Sequence, residues 1–120
     1  MRKALFVCSA NLDRSPTAER IFNHWKGVWE TKSAGIEPSL GRNSLSQGVI
    51  DWADVVLVMQ PVHAEYLYTH FDCKLKTIHV LDISNRYVRD DPELIQELQL
   101  KAATILDRED RLRRVAESRR

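Results

Sequence analysis

The sequence predicts an α/β fold of three layers, with a four-stranded parallel sheet in the order 2-1-3-4 and helices on both faces. Three observations predict it. Ala4–Val7 and Asp54–Met59 carry short, continuous apolar runs, as strands buried on both faces require. Segments with helical spacing alternate with them, which implies parallel strands joined by crossovers. Right-handed crossovers then set the strand order.

The elements follow in turn. Ala4 to Val7 reads as a central strand. Ser15-Pro16 opens a helix, with Ser15 as a cap and Pro16 in the first turn. Ala18, Ile21, Phe22 and Trp25 share one face of it, and Gly27 ends it. Val28 to Ser33 reads as a second strand closed by Gly35. Residues 36–44, with Pro38, Gly41 and Asn43, read as a loop, and Leu45 to Ala53 as a short helix. After the strand at 54–59, Pro61 begins a helix with Ala64, Leu67 and Phe71 inward. Thr77 to Ile83 is the fourth strand, and residues 84–90 form a polar loop. Asp91 caps a long final helix with Pro92 as its first residue. Leu94, Ile95, Leu98, Ala102, Ile105 and Leu106 share its inner face. From about residue 111 the tail is basic and reads as a solvated or frayed helix end, where cations suit the dipole.

A chain of 120 residues fits one domain, spanning 1–120, with a core that needs no disulfide or structural metal. A net charge of +1 gives no reason to expect nucleic acid or a membrane surface as partner. No apolar run is long enough to cross a bilayer. Residues 1–7 begin like a signal peptide, but the apolar stretch is too short and runs into Asn11, Asp13 and Arg14. The expectation is a cytosolic protein. Two cysteines, Cys8 and Cys73, are too few for a disulfide scaffold and lack zinc-ligand spacing, and in that reducing compartment a lone cysteine in an unusual setting points to catalysis.

The segment Cys8-Ser9-Ala10-Asn11-Leu12-Asp13-Arg14-Ser15-Pro16 lies between a strand and a helix. A short turn of this kind aims consecutive backbone N–H groups at one point and adds the helix dipole, making an anion site. Phosphate binding is therefore assigned to Ser9, Ala10, Asn11, Leu12, Asp13, Arg14 and Ser15. The Arg14 guanidinium supplies a planar fork for two phosphate oxygens. The same field favours Cys8 as a thiolate held beneath the phosphoryl group for in-line attack. Ser15 is placed to donate to that sulfur when it becomes a leaving group, and Asp13 is expected to face outward. The loops after the first and fourth strands should project from one edge of the sheet, where such folds bind ligands.

Phe6-Val7-Cys8-Ser9-Ala10-Asn11-Leu12-Asp13-Arg14-Ser15-Pro16-Thr17-Ala18-Glu19 resembles the signature of the low-molecular-weight protein tyrosine phosphatases. Ser33-Ala34-Gly35, the strand at 54–59 and the layout of the C-terminal third extend the resemblance over most of the chain. It implies a phosphocysteine intermediate, an Asn11 that shapes the loop through hydrogen bonds, a phosphorylated protein or small aryl phosphate as partner, and neither metal nor cofactor. It also implies a general-acid aspartate in an Asp-Pro-Tyr motif after the fourth strand. That motif falls on Asn85-Arg86-Tyr87. Tyr87 is retained and is expected to flank an aromatic substrate, while Asn85 cannot donate a proton as an acid. Asp82, Asp90 and Asp91 are the nearby carboxylates, and Asp91 weighs equally as acid and as helix cap. The segment between Gly35 and Asp54 is shorter than in typical members, and Asp13 replaces a second loop cysteine.

Three functions follow. The first is a phosphatase acting on aryl phosphates, protein phosphotyrosine above all. The second is a phosphate- or phosphopeptide-binding module with weak turnover, favoured by Asn85 but not by the retained Cys8. The third is an arsenate reductase, a related family that adds a pair of cysteines where only Cys73 is available. Cys73 itself reads as an ordinary residue or as a redox partner of Cys8. The histidines 24, 63, 70 and 79 read as surface or core residues.

Overall fold

The apolar runs become the inner strands of one parallel sheet. The computed structural model describes residues 1–37 and 43–119; Pro38 and Gly41 of the expected loop lie outside them. Strands β1 (Arg2–Cys8), β2 (Trp29–Gly35), β3 (Val55–Val58) and β4 (Thr77–Val80) pair in parallel in the order β2-β1-β3-β4. The expected order is the observed one.

Period-two alternation splits the core into two layers. Ala4, Phe6 and Cys8 of β1 face one way, with Val55, Leu57 and Met59. They meet α1 (Arg14–Phe22) through Ala18 and Phe22, and α4 (Pro92–Ser118) through Leu94, Leu98, Ala102 and Leu106. Leu5, Val7, Val56 and Val58 face the other way. There they meet Ile50 of α2 (Gln47–Trp52) and Leu67 of α3 (Pro61–His70). Each large side chain sealed in this way stabilises the fold by about 1.5–3 kcal/mol.

Several boundaries differ from expectation, each for a tertiary reason. The first helix ends at Phe22 rather than Gly27. His24 and Lys26 take left-handed backbone angles, φ +63° and +52°, and the His24 N–H bonds the Trp29 carbonyl at 2.6 Å. Trp25 folds back edge-on to Phe22, with ring centroids 5.0 Å apart. Ser15 does not cap this helix: Asp13 holds the cap position without a side-chain bond, and Ser15 lies inside the first turn. The fourth strand stops at Val80 because Asp82 turns to φ +57°, although Leu81 and Ile83 still donate to Val58 and Met59 carbonyls. The basic tail is ordered helix to Ser118, tied back by Arg113 to Asp54 at 3.0 Å and by Glu117 to Arg2 at 3.3 Å. Asp91 caps α4 as expected, its carboxylate accepting the Glu93 N–H at 2.9 Å.

Candidate active site

β1 delivers Cys8 to the carboxyl edge of the sheet, between β2 and β3. The loop leaving it is moulded against the end of β2. Ile36 and Glu37 N–H groups bond the Cys8 and Ser9 carbonyls at 3.1 and 2.7 Å. Gly35 makes this approach possible. A Cβ there would stand 2.8 Å from both the Asn11 nitrogen and the Ser9 oxygen, inside van der Waals contact. Asn11 turns the chain through φ +55°, a left-handed angle that asparagine tolerates better than most residues. Among the described residues no protein acceptor engages the backbone N–H groups of residues 9–15. A ring of free donors ahead of a helix is an anion-binding concavity.

A buried polar chain runs beneath the loop. The Asn11 amide donates to Ser15 Oγ at 2.9 Å and to Ser33 Oγ at 3.0 Å, and its carbonyl accepts the Asn43 N–H at 3.2 Å. Ser33 passes its proton on to Glu19 at 2.5 Å. Ser15 Oγ is 2.9 Å from Cys8 Sγ. Ser15 accepts from Asn11, so its own hydrogen has two acceptors within reach, the sulfur and the Ala34 carbonyl at 3.4 Å, and the sulfur is the nearer. Of the two roles expected of Ser15, the contact with Cys8 is observed and the helix cap is not.

Arg14 is almost wholly buried. Its Nη1 donates to Gln60 Oε1 at 2.6 Å and to the Ile83 carbonyl at 2.8 Å, and Nη2 reaches Ser9 Oγ at 3.4 Å. Burial lowers its pKa from the ordinary guanidinium value. Both Nη1 hydrogens are used, so the Nε–Nη2 edge is the fork left for an oxyanion. Gln60 and His63 join this cluster, and sequence reasoning missed both. His63 is fully buried in α3; its Nδ1 accepts the Gln60 N–H at 3.0 Å and its Nε2 lies 3.0 Å from Ser9 Oγ. Burial, then the Arg14 charge, pushes its pKa down to about 4. Gln60 carried one signal: it follows β3 at the same sheet edge as Cys8, next to the point where strand order reverses.

A cavity of about 200 Å³ opens over Cys8. Ser9, Ala10, Leu12, Asp13 and Arg14 line one side, and Asn85 and Tyr87 the other. The Tyr87 hydroxyl donates to Glu97 at 2.5 Å, which raises its pKa, and accepts from Arg86, whose guanidinium lies over the ring. The three candidate acids do not line this cavity. Besides the Asp91 cap, Asp90 pairs with Arg20 at 2.9 Å, and Asp82 accepts Lys101 through its carbonyl. Asp13 faces the same outer loop, accepting the Arg89 N–H at 2.8 Å. Cys73 is unsuited to be a redox partner: Thr77 is level with Ala4 across the sheet, so Cys73 lies at the edge opposite Cys8. Both thiols are free, and burial pushes that of Cys73 up.

No family model matches the chain. A low-molecular-weight protein-tyrosine-phosphatase, PtpB of Staphylococcus aureus, is 31% identical over 78% of each chain. The chain belongs to the low-molecular-weight protein tyrosine phosphatase family. It is therefore a cysteine-based phosphatase. A family structure from T. tengcongensis superposes with a TM-score of 0.71 at 23% identity, covering 90% of this chain and 99% of that one. The YwlE arginine phosphatase of Geobacillus stearothermophilus superposes with a TM-score of 0.65 at 25% identity, covering 91% and 95%. Among the described residues no helix is long and apolar enough to cross a membrane.

Proposed function

We propose that this phosphatase hydrolyses aryl phosphate monoesters, protein phosphotyrosine among them, through a phosphocysteine intermediate. The observation that carries the reading is Cys8 Sγ under a ring of unpartnered N–H donors, with Ser15 at 2.9 Å to stabilise it as thiolate and leaving group. The sulfur attacks phosphorus in line as the phosphorus–oxygen bond to the aryl group breaks. The backbone N–H groups of residues 9–14 and the Arg14 fork hold the charge that develops on the phosphoryl oxygens. Water then cleaves the sulfur–phosphorus bond, releasing phosphate and restoring the thiolate. Tyr87 and Leu12 supply apolar walls suited to an aromatic ring. A reducing compartment such as the cytosol suits a working thiol.

Asn85 marks how the reaction must run. It stands on the cavity wall where a proton donor is needed and has none to give. Turnover should therefore favour aryl leaving groups that depart as anions, since a missing acid costs about 10²–10⁴-fold on poorer ones. The same feature favours a second reading, a phosphopeptide-binding module with slow turnover. The test is hydrolysis of p-nitrophenyl phosphate, phosphotyrosine peptide and phosphoarginine peptide by wild type and Cys8→Ser. The reading expects Cys8-dependent turnover of the first two. Full activity in Cys8→Ser defeats the nucleophile assignment. Phosphopeptide binding without turnover moves the reading to the binding module, and preference for phosphoarginine overturns the aryl assignment.

A further inference from the structure

The mechanism above uses Ser9 only through its backbone N–H, and gives its hydroxyl and the buried His63 no part in the reaction. Ser9 follows the nucleophile and lines the cavity, and its oxygen is contacted from two sides. The Gln60 N–H occupies His63 Nδ1 at 3.0 Å, so the neutral ring carries its hydrogen on Nε2. That hydrogen points at Ser9 Oγ, 3.0 Å away, and Arg14 Nη2–H approaches the same oxygen at 3.4 Å. A hydroxyl has two lone pairs and one hydrogen. With both lone pairs taken, Ser9 can only donate, and no protein acceptor meets its hydrogen among the described residues.

We infer that His63 fixes the Ser9 hydroxyl as a dedicated donor to a phosphoryl oxygen, adding a side-chain contact to the backbone ring. Ser9 touches substrate in this arrangement, and His63 is a positioning residue acting through it. The inference rests on the phosphatase reading of the cavity and deepens it. Arg14 strengthens the case, because Gln60, Ile83 and Ser9 hold it without a carboxylate. Its charge stays directed at the anion, and a donor locked beside it needs no reorganisation when charge spreads over the phosphoryl oxygens. A neutral imidazole suits this role, because a ring buried beside Arg14 keeps the same tautomer through the neutral range.

The competing explanation is that His63 only fastens the start of α3 through Gln60. Two conservative variants separate the roles. His63→Asn keeps an acceptor near Nδ1 but cannot reach Ser9, whereas His63→Gln presents an N–H near Nε2. The probe is inorganic phosphate, titrated by calorimetry, with kcat and KM for p-nitrophenyl phosphate and thermal unfolding measured beside it. Ser9→Ala, a small change at a half-buried position, should unfold at the wild-type temperature and weaken phosphate about tenfold, as expected for a lost bond to a charged ligand. His63→Asn should weaken it equally, and the double variant no further. His63→Gln should stay within about twofold of wild type. Wild-type phosphate affinity in Ser9→Ala or in His63→Asn overturns the inference, as does a His63→Gln that binds as poorly as His63→Asn. The ordering in phosphate affinity does not require turnover. A protein that binds in this order but hydrolyses nothing defeats the phosphatase reading alone, and one that hydrolyses with all variants binding alike defeats this inference alone.

Discussion

The loop between β1 and α1 and the loop between β4 and α4 face each other across the cavity, and they are held by different kinds of interaction. The first is locked from below. Asn11, Ser15 and Ser33 form a buried chain, Gly35 admits the backbone of residues 9–11, and Gln60, Ile83 and Ser9 fix Arg14. The second is fastened from outside. Its ties are Asp13 to the Arg89 N–H, Thr17 to the Asp90 N–H, and an exposed Arg20–Asp90 pair. An exposed pair of that kind contributes about 0–1 kcal/mol. On the proposed function, the oxyanion side of the cavity is thus anchored in the core, while the side that would protonate a leaving group presents an amide and a phenol already bonded to Glu97. The division predicts that affinity for phosphate and competence on poor leaving groups vary separately in this protein.

The most damaging single change should come from outside the cavity. Gly35→Ala drives a Cβ into backbone atoms that cannot swing aside, so the phosphate loop must shift. A displacement on the order of 1 Å costs about 10²-fold in rate, and overpacking costs about 1–3 kcal/mol. Steady-state kinetics with urea unfolding checks both; a wild-type rate would mean the loop is less locked than described. Next in size is the acid response of His63. Its ring titrates near 6.5 when unfolded and about 4 when folded, so the unfolded chain takes up the proton first as pH falls. This contribution is fully present above pH 6.5 and is lost between 6.5 and 4, by about 3 kcal/mol in all. Since carboxylates titrate there too, the measurement is the difference between wild type and His63→Gln. The variant should lose less stability by that amount on going from pH 7 to pH 4, and equal losses would show the ring charging freely in the folded protein.

Much of this was legible in the sequence for specific reasons. Leu5–Val7 and Val55–Met59 lie in parallel strands buried on both faces, so continuous apolar runs gave away their place. That Cys8 and Arg14 line one cavity was legible because a strand, a short loop and Arg-Ser-Pro occur in the order an anion site needs. Asp91-Pro92 reads as a helix start by local chemistry alone, and that is how Asp91 is used. The misses are contacts across long stretches of chain. His63 and Gln60 reach Ser9 and Arg14 over 54 and 46 residues. The early end of α1 depends on left-handed His24 and Lys26, residue types that do not announce such a turn. Ser15 carried two readings, helix cap and partner of the Cys8 sulfur, and only the second holds, because a serine at a helix start looks the same whether its hydroxyl serves the backbone or a cysteine.

A change at Asn85 sharpens the comparison from the weaker side. Asn85→Asp is nearly isosteric and puts an acid on the cavity wall. It should speed hydrolysis of phenyl phosphate by about tenfold or more, within the range of general-acid catalysis, with far less effect on p-nitrophenyl phosphate. The gain should fade as pH rises and the new carboxyl ionises. Equal change on both substrates would mean that the new group does not reach the ester oxygen.

The smallest effect belongs to Asp91, and it decides whether the outer loop hides an acid. Its carboxylate accepts the Glu93 N–H at 2.9 Å, the bond that starts α4. Asp91→Asn keeps an oxygen able to accept that N–H but cannot act as an acid. Asp91→Ala loses both, and should lower stability by about 1 kcal/mol, the usual effect of removing a cap. If capping is the whole role, Asp91→Asn hydrolyses phenyl and p-nitrophenyl phosphate at wild-type rates, and Asp91→Ala differs only in its unfolding midpoint. An acid role requires the bond to Glu93 to break during turnover and the loop to swing inward, releasing the Arg89 and Asp90 ties as well. Asp91→Asn would then slow phenyl phosphate selectively while leaving stability intact. That outcome would make the outer loop a moving part, and the contrast between a locked wall and a fastened one would become a contrast between a fixed binding site and a mobile acid.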